Sequence, residues 1–365
     1  MVAAAWVAAA ACGGPGAAAE RADEIVGGSP IVTTERGPRG GQLVFVGHDG
    51  ATNADLTRAR GGDTALDRSP AYSPDGAWIA FASTRGRSTL AETSLWVVAS
   101  EPGAKPHRLT GDGAVDRDPV WTPEGDALVF SSNRGGSFDL YALEVREGEG
   151  GITAAGEAAP LTETLTHALA PSVSPDGDQV VYMALDDDAR TMTLWLAEVA
   201  TAARKQLTEG PQDMTPAWSP RGDAIAFSAP APGRADADLH LIDPSGSERR
   251  RLADEPYADQ SGPAFSADGR YVFATSVFRS VADGAPILSS VVVVDREDPE
   301  RALRGLHDPV VVESRVGVAV RPESLRADEI AKNPPYADAL RDAVTSELRR
   351  ERLEQERKAP DAAGP

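Results

Sequence analysis

One short segment returns five times along this chain, and it limits the fold more than any other feature. It reads Pro70-Ala-Tyr-Ser-Pro-Asp-Gly76, then Pro119-Val-Trp-Thr-Pro-Glu-Gly125, then Pro171-Ser-Val-Ser-Pro-Asp-Gly177. It continues as Pro216-Ala-Trp-Ser-Pro-Arg-Gly222 and Pro263-Ala-Phe-Ser-Ala-Asp-Gly269. The closing glycines lie 49, 52, 45 and 47 residues apart. Each copy predicts a strand, a tight turn and a second strand. Proline presets φ, the aspartate can bond its own backbone, and glycine accepts positive φ. The second strands are apolar or alternating, as in Trp78–Ser83 and Leu128–Ser132.

Third strands are legible at Ser94–Val98, Phe138–Leu143, Thr193–Ala197, Ala237–Ile242 and Ser290–Val294. Outer strands follow at His107–Thr110, Pro160–Thr162, Lys205–Thr208 and Arg250–Leu252. A sixth, degenerate copy lies upstream, with Pro30–Thr33, a turn near Gly40 and Gly41, and Leu43–Val46. Four strands in roughly 45 to 50 residues make a propeller blade, and stacking blades in a ring buries faces that one blade cannot. The expected fold is all-β: a six-bladed β-propeller of four-stranded antiparallel blades over residues 29–320, with seven blades the main rival. A sandwich would not explain the fixed spacing, a helical solenoid cannot use Pro-Asp-Gly beside β-branched runs, and a parallel β-helix would want shorter coils. For closure, Pro30–Thr33 is read as the innermost strand of the first blade and Val310–Val320 as an outermost strand beside it.

The flanks differ in character. Val2–Ala11 is an apolar run ending at Cys12, the one cysteine. It is too short to span a bilayer and predicts a secretory signal over 1–12. Residues 13–28 follow as a flexible tether. The 321–365 tail predicts two short helices, Ser324–Lys332 and Tyr336–Lys358, broken at Pro334-Pro335.

Charge narrows the partners. Asp plus Glu number 56 against 36 Lys plus Arg, for a formal net charge of -20. A passive nucleic-acid binder is therefore disfavoured, because phosphates require Lys and Arg. A single cysteine excludes an internal disulfide and every multi-cysteine metal site. Catalytic motifs are lacking: no G-x-S-x-G elbow, H-E-x-x-H, P-loop or EF-hand loop occurs.

The most informative polar positions sit three residues ahead of each repeat proline: Asp67, Asp116, Asp213 and Gln260, with Ala168 the exception. They should recur near one mouth of a central channel, with His167 beside them. A carboxylate ring there would focus negative potential and hold Ca2+ or draw a Lys- or Arg-bearing peptide. The plainer expectation is that each aspartate caps its own turn. No other cofactor is expected.

The P-x-[W/Y/F]-S-P-D-G unit, Asp139-Leu-Tyr141 and Arg108-Leu-Thr110 together resemble the TolB-like (PD40/WD40-like) β-propeller repeat over residues 30 to about 300. That resemblance implies a periplasmic propeller that binds an envelope protein or peptide at one channel face. With only the 13–28 tether ahead of the first blade, the N-terminal α/β domain of that family is not expected here. The small-small-Cys junction at Cys12 resembles a bacterial lipobox and implies lipidation there. The expected protein is a monomeric, non-catalytic outer-membrane lipoprotein facing the periplasm, held to the membrane only through Cys12. A soluble periplasmic protein is the alternative location. A propeller hydrolase or lyase using a divalent cation in the channel is the alternative function.

Overall fold

The computed structural model describes residues 31–37, 40–46, 52–57, 65–87, 92–111, 113–164, 166–186, 190–230, 236–253, 258–279, 286–298, 304–306 and 315–320. Cys12, the 1–28 leader and tether, and the 321–365 tail lie outside them. The described residues are strands, turns and bends, with no helix among them.

In chain order the first strands are β1 (Ile31–Gly37), β2 (Gly40–Val46) and β3 (Thr52–Asp55). A second group comprises β4 (Asp67–Tyr72), β5 (Trp78–Ser83), β6 (Ser94–Ala99) and β7 (His107–Arg108). A third has β8 (Asp116–Trp121), β9 (Ala127–Ser132), β10 (Asp139–Gly148), β11 (Gly151–Ala154) and β12 (Ala159–Pro160). The fourth has β13 (His167–Val173), β14 (Gln179–Asp186), β15 (Thr191–Glu198) and β16 (Arg204–Gln206). The fifth has β17 (Met214–Trp218), β18 (Ile225–Pro230), β19 (Ala237–Ile242) and β20 (Arg250–Arg251). The last has β21 (Ala258–Phe265), β22 (Tyr271–Arg279), β23 (Pro286–Asp295) and β24 (Arg304–Leu306), and β25 (Arg315–Val320) follows.

These strands pair, antiparallel throughout, into six sheets among the described residues. Five draw their strands from one stretch of chain, four of them in simple sequence order; in the third sheet both β11 and β12 pair with β10. The first has the order β25-β1-β2-β3. Thus β25, not β1, is innermost there: it packs on β4 of the second sheet and on β21 of the last. The expectation for Pro30–Thr33 and Val310–Val320 is corrected accordingly. The upstream copy lacks the Pro-x-aromatic-Ser-Pro-Asp-Gly unit, so it brings no inner strand of its own. Its segments each shift one place outward. A signal for this was present, because Leu56-Thr57 after β3 matches the Leu-Thr of the other outer strands. Innermost strands touch in series, β4 with β8, β8 with β13, β13 with β17, and β17 with β21.

The core lies between sheets. Ala80, Ala82, Leu95 and Val97 of the second sheet pack with Trp121, Leu128, Phe130 and Leu143 of the third. Val181, Leu194 and Leu196 of the fourth pack with Trp218, Ile225 and Phe227 of the fifth. The repeat aromatics Trp121 and Trp218 are therefore inter-sheet packing, and Trp121 Nε1 also donates to the Ala71 carbonyl across the seam at 3.1 Å. Outer strands are short and charged, as in the exposed β7, β16 and β20, which discourages edge-to-edge pairing.

The repeated turns follow one scheme. In the second sheet, Trp78 N–H donates to Ser73 Oγ at 2.9 Å and Ala77 N–H to Asp75 Oδ1 at 3.0 Å. The Ser73 hydroxyl completes it by donating to Asp75. Where the aspartate is replaced, by Glu124 or Arg221, the carboxylate comes from Asp126 or Asp223 instead. Successive turns also nest. A Cβ on Gly125 would stand 3.4 Å from Pro74 Cδ, and one on Gly222 3.4 Å from Pro175 Cγ. Gly125 is needed for its φ of +75°, while the neighbouring proline stands at ordinary contact distance.

Candidate functional site

Asp67, Asp116 and Asp213 do recur at the same end of their inner strands, but they form no shared open ring. Each is essentially fully buried beside its own arginine. Arg85 grips Asp67 with Nε at 3.1 Å and Nη2 at 2.6 Å, and Ser83 Oγ donates to the same carboxylate at 2.5 Å. The same Arg85 reaches the Thr57 carbonyl of the preceding sheet. Arg134 Nη2 meets Asp116 Oδ1 at 2.9 Å. Arg249 Nη2 meets Asp213 Oδ1 at 3.1 Å. The expected carboxylate field at a channel mouth is thereby neutralised residue by residue, because a buried charge is retained only when paired. The signal was in the sequence: Arg85 and Arg134 each stand 18 residues after their aspartate, in Thr84-Arg85-Gly86 and Asn133-Arg134-Gly135. In the fourth sheet the aspartate is Ala168, and the phenylalanine of the second strand becomes Tyr182, whose hydroxyl meets Arg204. Burial pushes that phenol up, with Arg204 acting against it.

Gln260 serves another purpose. In four sheets a buried threonine after the outer strand accepts the N–H of a third-strand or equivalent leucine. The pairs are Thr57 with Leu43, Thr110 with Leu95 and Thr208 with Leu194, all at 2.9 Å, and Thr162 with Leu140 at 3.0 Å. In the fifth sheet Ala253 stands in the threonine's place. Gln260 Oε1, from the sixth sheet, accepts the Leu239 N–H instead at 3.1 Å. His167 is half-buried, with Nδ1 accepting from Phe138 N–H at 3.2 Å and its ring edge-on to Phe138. His240, stacked on Phe227, is held at a pKa of about 4 by burial and by Arg249.

A second shared level lies two residues further along the inner strands. Ser69, Asp118, Ala170, Thr215 and Gly262 all have positive φ, between 47° and 61°. Each sits where the inner strand slips register against its neighbour, so five inner strands carry the same bulge. β25 carries the corresponding slip, between its pairings at Val316 and Val318. Positive φ costs a β-branched residue such as Thr215 roughly 1–3 kcal/mol, and such strain clusters at functional positions. Bonds run from strand to strand at this level: Ser69 Oγ donates to Asp118 Oδ1 at 2.8 Å, and Gly262 N–H to Thr215 Oγ1 at 3.2 Å. Arg68, Ser69, Arg117, Asp118, Met214 and Thr215 are each half-buried. Asp118 is bridged to Arg117 at 2.8 Å. Sequence reasoning passed over this level because no residue type repeats there; the backbone conformation does.

No protein-family model matches the chain. It is 30% identical over 148 residues to the "Uncharacterized peptidase YuxL" of Bacillus subtilis, covering 39% of this chain and 20% of that protein. It is 34% identical over 112 residues to the TolB homolog of Chlorobium chlorochromatii, covering 30% of this chain and 24% of that one. The match thus spans about a quarter or less of either relative's length. Among solved structures, TolB from Acinetobacter baumannii superposes with a TM-score of 0.59 at 16% identity, over 81% of this chain and 67% of that one. Repeat and architecture together give the chain a β-propeller fold similar to that of TolB.

Proposed function

We propose that this chain is a non-catalytic cell-envelope propeller of six blades that binds a protein or peptide partner across one channel face. The observation that supports it best is the bulged inner-strand level. Six neighbouring strands break register together, and three of them, β4, β8 and β17, offer Arg68, Ser69, Arg117, Asp118, Met214 and Thr215 half-exposed. Bulges are a common way to re-aim side chains toward a site. Affinity capture from envelope extract tests this, using the wild type and an Arg68→Glu/Arg117→Glu variant. A partner lost with the variant supports the reading; no partner, or the same set with both, defeats it. The envelope location and lipidation of Cys12 belong to the same proposal. Lipid-precursor labelling that survives Cys12→Ala would remove the anchor.

A second reading, a hydrolase or lyase using a divalent cation in the channel, draws on the relative named as a peptidase. Among the described residues no three His, Cys, Asp or Glu side chains gather as a metal would need. Peptide or oligosaccharide cleavage that is abolished by EDTA and restored by a divalent cation would favour this second reading over the first.

A further inference from the structure

Where the chain passes from β7 to β8, between the second and third sheets, lies an open cleft of about 410 Å³. Leu109, Leu143 and Ala158 give it apolar walls, and Asp116, Arg134 and Glu157 give it charge. The repeat supplies internal controls for reading it. Asp67 uses both carboxylate oxygens, Oδ1 toward Ser83 and Arg85 and Oδ2 toward Arg85. Asp213 also uses both, Oδ1 toward Arg249 and Oδ2 toward Gly210 N–H at 3.2 Å. Asp116 is 1% exposed, like Asp213, yet only its Oδ1 is engaged; Oδ2 has no hydrogen-bond partner among the described residues.

The cause is the pose of Arg134. Its Nε turns to Ser132 Oγ at 2.9 Å, and its guanidinium lies 4.9 Å from the centre of the Tyr141 ring. It therefore cannot fork onto Asp116 as Arg85 forks onto Asp67. A buried carboxylate oxygen without a donor is unfavourable, so a donor is what this cleft lacks. Glu157, exposed at the same cleft, decides which kind of donor fits. Asp116, Arg134 and Glu157 together leave one negative charge, which a single cation neutralises. Apolar walls suit a methylene stem, and a compact ammonium can point one N–H at Oδ2 and another at Glu157.

We infer that this cleft receives a lysine side chain, its ammonium bound between Asp116 Oδ2 and Glu157. For the source of that lysine the inference rests on the partner-binding reading above; for the cleft itself it does not. The test is titration of the isotope-labelled full chain, followed by backbone amide shifts, with Nα-acetyl-lysine methylamide and with the uncharged norleucine analogue. The lysine compound should shift the amides of Gly111, Ala114 and Ala158, and the norleucine compound should not. Glu157→Gln should weaken the apparent affinity roughly fivefold, about 1 kcal/mol. Ala158→Phe, which fills the cleft without touching the ion pair, should abolish the shifts. Equal shifts from both compounds, no shifts at all, or shifts indifferent to both variants overturn the inference. Ala158→Phe in the capture experiment separates the two proposals. Undiminished capture by this variant overturns the lysine cleft alone. A wild type that captures nothing defeats the partner reading while the amide shifts still stand.

Discussion

Gln260 stands in for a missing threonine, and that substitution can be measured. Replacing Gln260 with leucine keeps the volume and removes the side-chain acceptor that the buried Leu239 N–H finds among the described residues. A buried donor left without a partner costs about 1–3 kcal/mol. Gln260 Nε2 itself has no hydrogen-bond partner among the described residues, so its removal offsets part of that loss, and a net cost of about 1–2 kcal/mol is expected. Ala253→Thr restores the residue used in four other sheets and should be close to neutral alone. In the Ala253→Thr background, Gln260→Leu should then cost less than about 0.5 kcal/mol, giving a coupling of about 1 kcal/mol between two residues on neighbouring sheets. Urea unfolding followed by tryptophan fluorescence reads all four corners of this cycle, provided the m-values agree. An equal cost for Gln260→Leu in both backgrounds would refute the argument, since the glutamine would then not be doing the threonine's job.

Three further outcomes are expected. Asp67→Asn should destabilise by about 3 kcal/mol, whereas Asp67→Leu combined with Arg85→Met should cost less than the single change, because no buried charge is stranded; paired denaturation curves check this. Gly210→Ala should cost more than Gly86→Ala, although both have similar positive φ, because a Cβ would stand 2.9 Å from the Met192 carbonyl oxygen in the first and meet open space in the second; melting temperatures of the two variants report the difference. His240 has a folded-state pKa of about 4, below the roughly 6.5 of an unfolded chain, so the native state binds fewer protons between these values and stability falls as pH drops through that window. The loss between pH 7 and pH 5 should be about 2 kcal/mol, and His240→Phe should flatten that part of the profile in urea midpoints taken at both pH values. The carboxylates held low by their turn hydroxyls, Asp75 and Asp176, act only below about pH 4.

The fold was legible because its determinants are local and repeated. Proline, serine, aspartate and glycine in one turn announce themselves wherever they occur, and Leu-Thr after four of the outer strands does the same. The first sheet was misread because its inner strand comes from some 280 residues away and carries no repeat signature. Sequence spacing cannot show which strand lies inside. The candidate site was only half legible. The recurrence of Asp67, Asp116 and Asp213 at one end was plain, but where a carboxylate points depends on its cation, and Arg249 reaches Asp213 from the far end of its sheet. The bulged level was invisible, since Ser69, Asp118, Ala170, Thr215 and Gly262 share a backbone angle and nothing else.

The pairing of β25 with β1 has a consequence for biosynthesis. During translation, β1 leaves the ribosome early, yet its partner is made only when synthesis reaches residue 320. For most of that interval one long flank of β1 has bare amides and carbonyls, a template on which a second nascent chain could add a strand. A brief embrace by a holding chaperone, or export before completion, would protect it. The latch that completes the molecule is thus also the step at which its assembly is most vulnerable to error.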